Sequence, residues 1–122
     1  MSSALPATAA GIVNLAYLEA SSFGQAEFMQ QAIDLLLAQL PDLLVQLDRA
    51  KKASDPAGMR MTAHKIKSSV AMLGMESTRD LLQMLESGSS SGIDDFERSV
   101  HKINEMCALA IAELRMERGR YS

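Results

Sequence analysis

Two histidines, His64 and His101, and a single cysteine, Cys107, are the side chains of this 122-residue chain best equipped for nucleophilic chemistry. Around His64 stand Arg60 one helical turn before it, Lys67 and Ser68 one turn after it, and Ala71 a turn further on. On a helix these residues share one side. A neutral imidazole offers one ring nitrogen as an electron-pair donor while the other carries a proton, and a hydrogen bond to that proton decides which nitrogen is free. With a cation one turn away and small residues beside it, His64 reads as an accessible nucleophile and not as a packing histidine. His101 has Glu97 four residues before it and no lysine one turn later, which fits a solvated helix face. Cys107 lies among apolar residues and fits a small core residue.

A surface histidine on an arbitrary helical bundle usually does nothing, so the elements that position His64 carry the argument. Asp55-Pro56 has the form of an N-cap followed by proline at the first helical position, where the missing N–H costs nothing. From there Met59, Ala63, Ile66, Val70 and Leu73 form one apolar stripe, and Gly74 is placed to end or bend the helix. Projected at 3.6 residues per turn, the stripe centres on Ile66 and Val70, and His64 points well away from it.

The preceding series Phe28, Ile33, Leu36, Leu37, Leu40, Leu43, Leu44 and Leu47 keeps its three-and-four spacing through Pro41, which predicts one kinked helix from about Gln25 to Ala50. Before it, Asn14 can cap a short helix to about Ala20 with Leu15 and Leu18 inside. After Gly74, Ser77 and Asp80 have the spacing of a capping box, predicting a helix from Ser77 to Ser87. A polar loop, Ser87 to Gly92, leads to Ile93, Phe96, Val100, Ile103, Cys107, Ala110 and Leu114, the stripe of a last helix ending near Arg118. The expected fold is all-α: an antiparallel up-down four-helix bundle with a short extra N-terminal helix. Residues 1–11 and 119–122 are expected to be tails, and 12–118 the bundle.

Composition narrows the function classes. A hydrophobic share of 48% with 4% aromatics and no Trp calls for one aliphatic core. A net charge of −3 gives none of the basic surface that nucleic-acid binding requires. No apolar run is long enough to span a membrane, the start has no signal-peptide pattern, and the lone cysteine suits a reducing compartment, so a cytoplasmic, monomeric protein is expected. No Gly-rich phosphate loop ending in Lys-Ser or Lys-Thr occurs, so ATP binding is not expected.

Ala63-His64-Lys65-Ile66-Lys67-Ser68-Ser69 followed by Leu73-Gly74 resembles the signature of the histidine phosphotransfer family: histidine, two residues, lysine, then small residues on the second long helix of a four-helix bundle. Leu15-Ala16-Tyr17-Leu18-Glu19, Phe28, Leu40-Pro41-Asp42-Leu43-Leu44 and Leu82 to Glu86 are similar to its flanking segments, so that the likeness covers about residues 12 to 116. The family usually has Gly directly after the lysine, where this chain has Ser68.

The resemblance implies a phosphocarrier without autonomous catalysis, phosphorylated on Nε2 of His64, that relays a phosphoryl group between receiver-domain aspartates. The implied partners are response-regulator receiver domains and hybrid sensor histidine kinases. Lys67 would neutralise phosphoryl oxygens. Antiparallel packing would bring Glu86 towards His64, where its carboxylate could accept the Nδ1 proton. An exposed patch of Arg60, Ser68, Ala71 and Met72, with Met61 beside it and Arg79 on the next helix, is expected to meet the partner. The carrier itself is expected to hold no cofactor and no metal; Mg²⁺ would belong to the receiver's acidic pocket. With no residue placed to activate water, the phosphohistidine should be long-lived.

Rival readings differ in identifiable residues. A histidine-kinase dimerisation hairpin normally has an acidic residue directly after its histidine, where this chain has Lys65. A metal-binding bundle needs several ligands around one interior site, whereas Glu97 and His101 are alone and off the buried stripe. A bundle that binds receivers or kinases without being phosphorylated is the remaining alternative, and the retained His64 and Lys67 argue against it.

Overall fold

The structure, a computed structural model, describes residues 11–88 and 93–121, the side chains of 93–95 excepted. They form α1 (Ala16–Ser21), α2 (Ala26–Lys52), α3 (Pro56–Met72), α4 (Glu76–Ser87), α5 (Ile93–Arg118) and a 3-10 turn, Gly119–Tyr121. Each long helix packs on its sequence neighbour and α5 closes the ring against α2, so the architecture is an all-α four-helix bundle with α1 as an extra short helix.

Its core is aliphatic, built from fully buried Met29, Ile33, Leu36, Leu40, Leu47, Ile66, Leu73, Leu82, Ile103 and Leu114. Helix α2 runs unbroken through Pro41. Its stripe begins differently from the expected one, because Phe28 is 48% exposed and Met29 is buried in its place. Stepping back four residues from Ile33 reaches Met29, and Phe28 lies about 100° further round the helix. Leu37, Leu43 and Leu44 are half-buried at the margin of the stripe.

Helix α3 begins as its sequence predicts, with Pro56 in its first turn and Asp55 Oδ1 accepting from the Gly58 amide at 3.0 Å. It ends where Gly74 adopts φ +66°, and a Cβ there would sit 2.9 Å from that of Asn14. The close approach arises because the Asn14 amide donates to the Leu73 carbonyl at 2.8 Å. Asn14 is not the expected N-cap of α1, which is Leu15; it stands one residue before the cap, with its Oδ1 accepting from Ala16 N–H at 2.9 Å. The N-terminal strap is tied across to α5 through the Ile12 amide, 2.5 Å from Glu113 Oε1.

Two further expectations are corrected. The capping box of Ser77 and Asp80 does not form: α4 starts at Glu76, its N-cap is Met75, and no side chain caps it. Met75 is anchored in the core and its amide donates to the Val70 carbonyl at 3.1 Å, so the chain enters the helix early and Ser77 falls inside the first turn. Residues 119–121 are not a tail. Arg118 grips Asp34 of α2, Gln30 donates to the Tyr121 carbonyl, and Tyr121 packs partly against the core. The expected Ser87–Gly92 loop opens at Gly88, which closes α4 at φ 73°; residues 89–92, and residues 1–10 of the expected N-terminal tail, lie outside the described residues.

Cys107 is buried, and burial pushes its thiol up to about 12, far from a reactive thiolate. No helix among the described residues is long and apolar enough to cross a membrane.

Candidate functional site

Packing the stripe of α3 inward leaves His64 outside, with its side chain 60% exposed. The adjacent helix supplies a partner. Helix α4 lies against α3, and Glu86, in its last turn, places Oε2 2.9 Å from His64 Nδ1. The other oxygen of the same carboxylate lies 2.6 Å from Lys67 Nζ. It is shielded from solvent and has the ammonium as counter-charge without an aligned hydrogen bond. Lys67 Nζ also donates to Gln83 Oε1 at 2.8 Å.

The Lys67 ammonium is the largest cause holding the Glu86 carboxyl below its usual range; partial burial opposes it, and the hydrogen bond and charge of His64 act in the same direction as the lysine. An ionised carboxylate only accepts, so the proton in the contact with His64 belongs to Nδ1. In the neutral ring the lone pair is then on Nε2, which has no hydrogen-bond partner among the described residues. Such an arrangement can present a nitrogen nucleophile with its tautomer fixed from behind.

On the other flank of His64 an open groove of about 710 Å³ runs between α2 and α3. Ser68 and Met72 line it from α3, and Ala38, Gln39, Asp42 and Leu43 from α2. Ser68 turns its hydroxyl back to the His64 carbonyl at 3.3 Å, so the side chain that replaces a glycine hydrogen lies along its own helix. Met72 is divided between two roles, half-buried against the core and lining the groove, whereas Met61 is 62% exposed.

The structure thus brings His64, Lys67 and Glu86 into one cluster, and Ser68 and Met72 into the groove beside it. Arg60, Ala71 and Arg79 are exposed but take no part in the cluster's hydrogen bonds. His101 is exposed on α5, outside the cluster. Sequence reasoning missed Gln83 and the α2 wall of the groove. Gln83 had a usable signal, lying one turn before Glu86 on the same face of an amphipathic helix. The α2 wall had a weaker one, the small and polar pair Ala38-Gln39 interrupting the leucines.

Among the described residues no cluster of three or more His, Cys, Asp or Glu could hold a metal ion. No curated protein and no solved structure matches the chain. The sequence model described as Hpt domain matches residues 31–114, which takes in α3, α4 and most of α2 and α5, and hence His64, Lys67, Gln83 and Glu86. With that match spanning more than half of a helical bundle of the expected architecture, the chain belongs to the Hpt domain family, the phosphocarriers of phosphorelay signalling.

Proposed function

We propose that this protein relays a phosphoryl group between receiver-domain aspartates, with Nε2 of His64 as the atom that carries it. The observation that supports this best is the His64–Glu86 contact of 2.9 Å at Nδ1, which turns the lone pair of an exposed imidazole outward. In the receiving step Nε2 attacks the phosphorus of an aspartyl phosphate, the N–P bond forms, and the P–O bond breaks with its electron pair returning to the aspartate. Nδ1 keeps its proton, and the positive charge developing on the ring faces the Glu86 carboxylate. Onward transfer is the reverse, with the imidazole leaving as a neutral group.

Lys67 supplies positive charge to the phosphoryl oxygens, and positioning with charge stabilisation accounts for most catalysis of such transfers. The receiver contributes the acidic pocket and its Mg²⁺. It docks over the groove, with Ser68 and Met72 at the contact and Arg60, Ala71 and Arg79 around it. The protein acts as a cytoplasmic monomer that meets response-regulator receivers and hybrid sensor kinases in turn.

The test is His64→Gln. Receiver domains of the source organism, charged with acetyl phosphate, should transfer an acid-labile, base-stable phosphate to wild type and none to the variant, as read by mass spectrometry under neutral conditions. The variant should keep its helical content, since the side chain projects outward, and should still bind receivers. Phosphate on the variant, or none on wild type with any receiver, overturns the proposal and leaves an unphosphorylated adaptor in its place.

A further inference from the structure

The Lys67 ammonium has two partners on α4, and they differ in kind. Glu86 is a full counter-charge at 2.6 Å, the same carboxylate that holds the imidazole. Gln83, one turn earlier, is neutral and accepts from Nζ at 2.8 Å. Lysine has no acceptor, so the oxygen end of the amide must face it. With 22% of its side chain exposed, Lys67 is held along the seam between α3 and α4 and is not free to sweep through solvent.

An ammonium with Glu86 as its sole partner would settle on that carboxylate, and its charge would be spent there. A dipole directs a donor without cancelling its charge. Gln83 therefore takes up one N–H, Glu86 faces another, and a third of the three donors is left over. Seam and imidazole are coupled through Glu86, so a shift of Lys67 also disturbs the oxygen that holds Nδ1.

We propose that Gln83 is a positioning residue for the transfer: a neutral tether that keeps the Lys67 ammonium at the α3–α4 seam beside His64 with its charge available to phosphoryl oxygens. The inference deepens the phosphoacceptor reading and rests on it. Gln83 itself touches no phosphate. A carboxylate in its place would hold the lysine equally well but add a second negative charge where a phosphoryl group must arrive.

A double-mutant cycle tests this, using a receiver domain charged with acetyl phosphate at saturating concentration and wild type, Gln83→Leu, Lys67→Ala and the double variant as acceptors. Leucine keeps the bulk and the helix propensity, and the thermal midpoint of each protein is measured alongside. Gln83→Leu should transfer about three- to five-fold more slowly than wild type, and the double variant no more slowly than Lys67→Ala alone. Gln83→Glu should also be slow, with the gap widening as salt is lowered. A wild-type rate in Gln83→Leu, or the same fold loss in the Lys67→Ala background, overturns the tether. A wild-type rate in Gln83→Glu overturns its neutrality. If wild type accepts no phosphate, the phosphoacceptor reading falls and the tether with it; a phosphorylated wild type indifferent to Gln83 sinks the tether alone.

Discussion

Among the described residues two ionic clusters join one helix to another, and they finish in opposite ways. Between α2 and the end of α5, Arg118 Nε and Nη2 meet the two oxygens of Asp34 at 2.8 and 3.0 Å, fork to fork. Between α3 and α4, Glu86 also engages both oxygens, one with His64 and one with Lys67. In each cluster a neighbouring cation holds the carboxyl below its usual range, Arg118 for Asp34 and chiefly Lys67 for Glu86. The planar guanidinium and carboxylate satisfy one another, whereas the imidazole has a second nitrogen that Glu86 cannot reach. Similar electrostatics give a closed clasp in one cluster and an exposed imidazole in the other, and the difference lies in the ring's second nitrogen.

The contrast is broken most severely at the lysine. Lys67→Ala should slow phosphotransfer by about ten-fold without abolishing it, and the loss should grow as salt is lowered, because the ammonium assists through charge and forms no bond to phosphorus. Wild-type rates at saturating receiver would remove Lys67 from the site. A substitution beside the cluster separates docking from chemistry. Met72→Glu should weaken receiver binding by about ten-fold. Because Met72 is half-buried it should also lower stability by about 1 kcal/mol, a cost that calorimetry separates from binding. Normal binding with a large stability loss would show that Met72 serves the core alone.

Acid distinguishes the two clusters by what each reports. A carboxyl whose folded value is lowered stabilises the fold above its unfolded value, and that contribution disappears as pH falls through the folded value. Both clusters should therefore be intact at neutral and mildly acid pH and fail only below the ordinary carboxylate range. Nitrogen NMR of the neutral His64 ring should place the proton on Nδ1 in wild type and show that preference lost in Glu86→Ala. An unchanged ring in the variant would show that Glu86 does not set the tautomer. The smallest effect is expected at the clasp. Arg118→Leu should lower the thermal midpoint by about a degree or two, as exposed ion pairs contribute little, and leave phosphotransfer at the wild-type rate. A slowed transfer would mean that the two clusters communicate.

What the sequence discloses follows from which forces are local. The Asp55-Pro56 start of α3, the stripe through Ile66 and Val70, and the outward aim of His64 depend on one helix's periodicity and its cap, and they are legible in a single segment. The continuity of α2 through Pro41 is legible for the same reason, since the apolar spacing persists across it. The start of α4 is not, because Met75 is fixed by the core and by Val70, and tertiary anchoring overrides the capping pattern of Ser77 and Asp80. The fate of 119–121 depends on Gln30 and Asp34, residues some ninety positions away. Glu86 could be brought near His64 from antiparallel packing alone, but the division of Lys67 between Glu86 and Gln83 requires the rotation of α4 against α3, which no local pattern encodes.

The burial of Cys107 has a practical side. With its thiol closed off and pushed up to about 12, Cys107 should resist maleimides and iodoacetamides in the folded protein, an expectation that mass spectrometry after labelling checks. Ala71, small and exposed on the helix of His64, can then be replaced by Ala71→Cys and conjugated alone, giving a fluorophore or spin label two turns from the imidazole without first mutating the core. The same sealed sulfur that packs α5 into the bundle makes the face around His64 open to site-selective labelling.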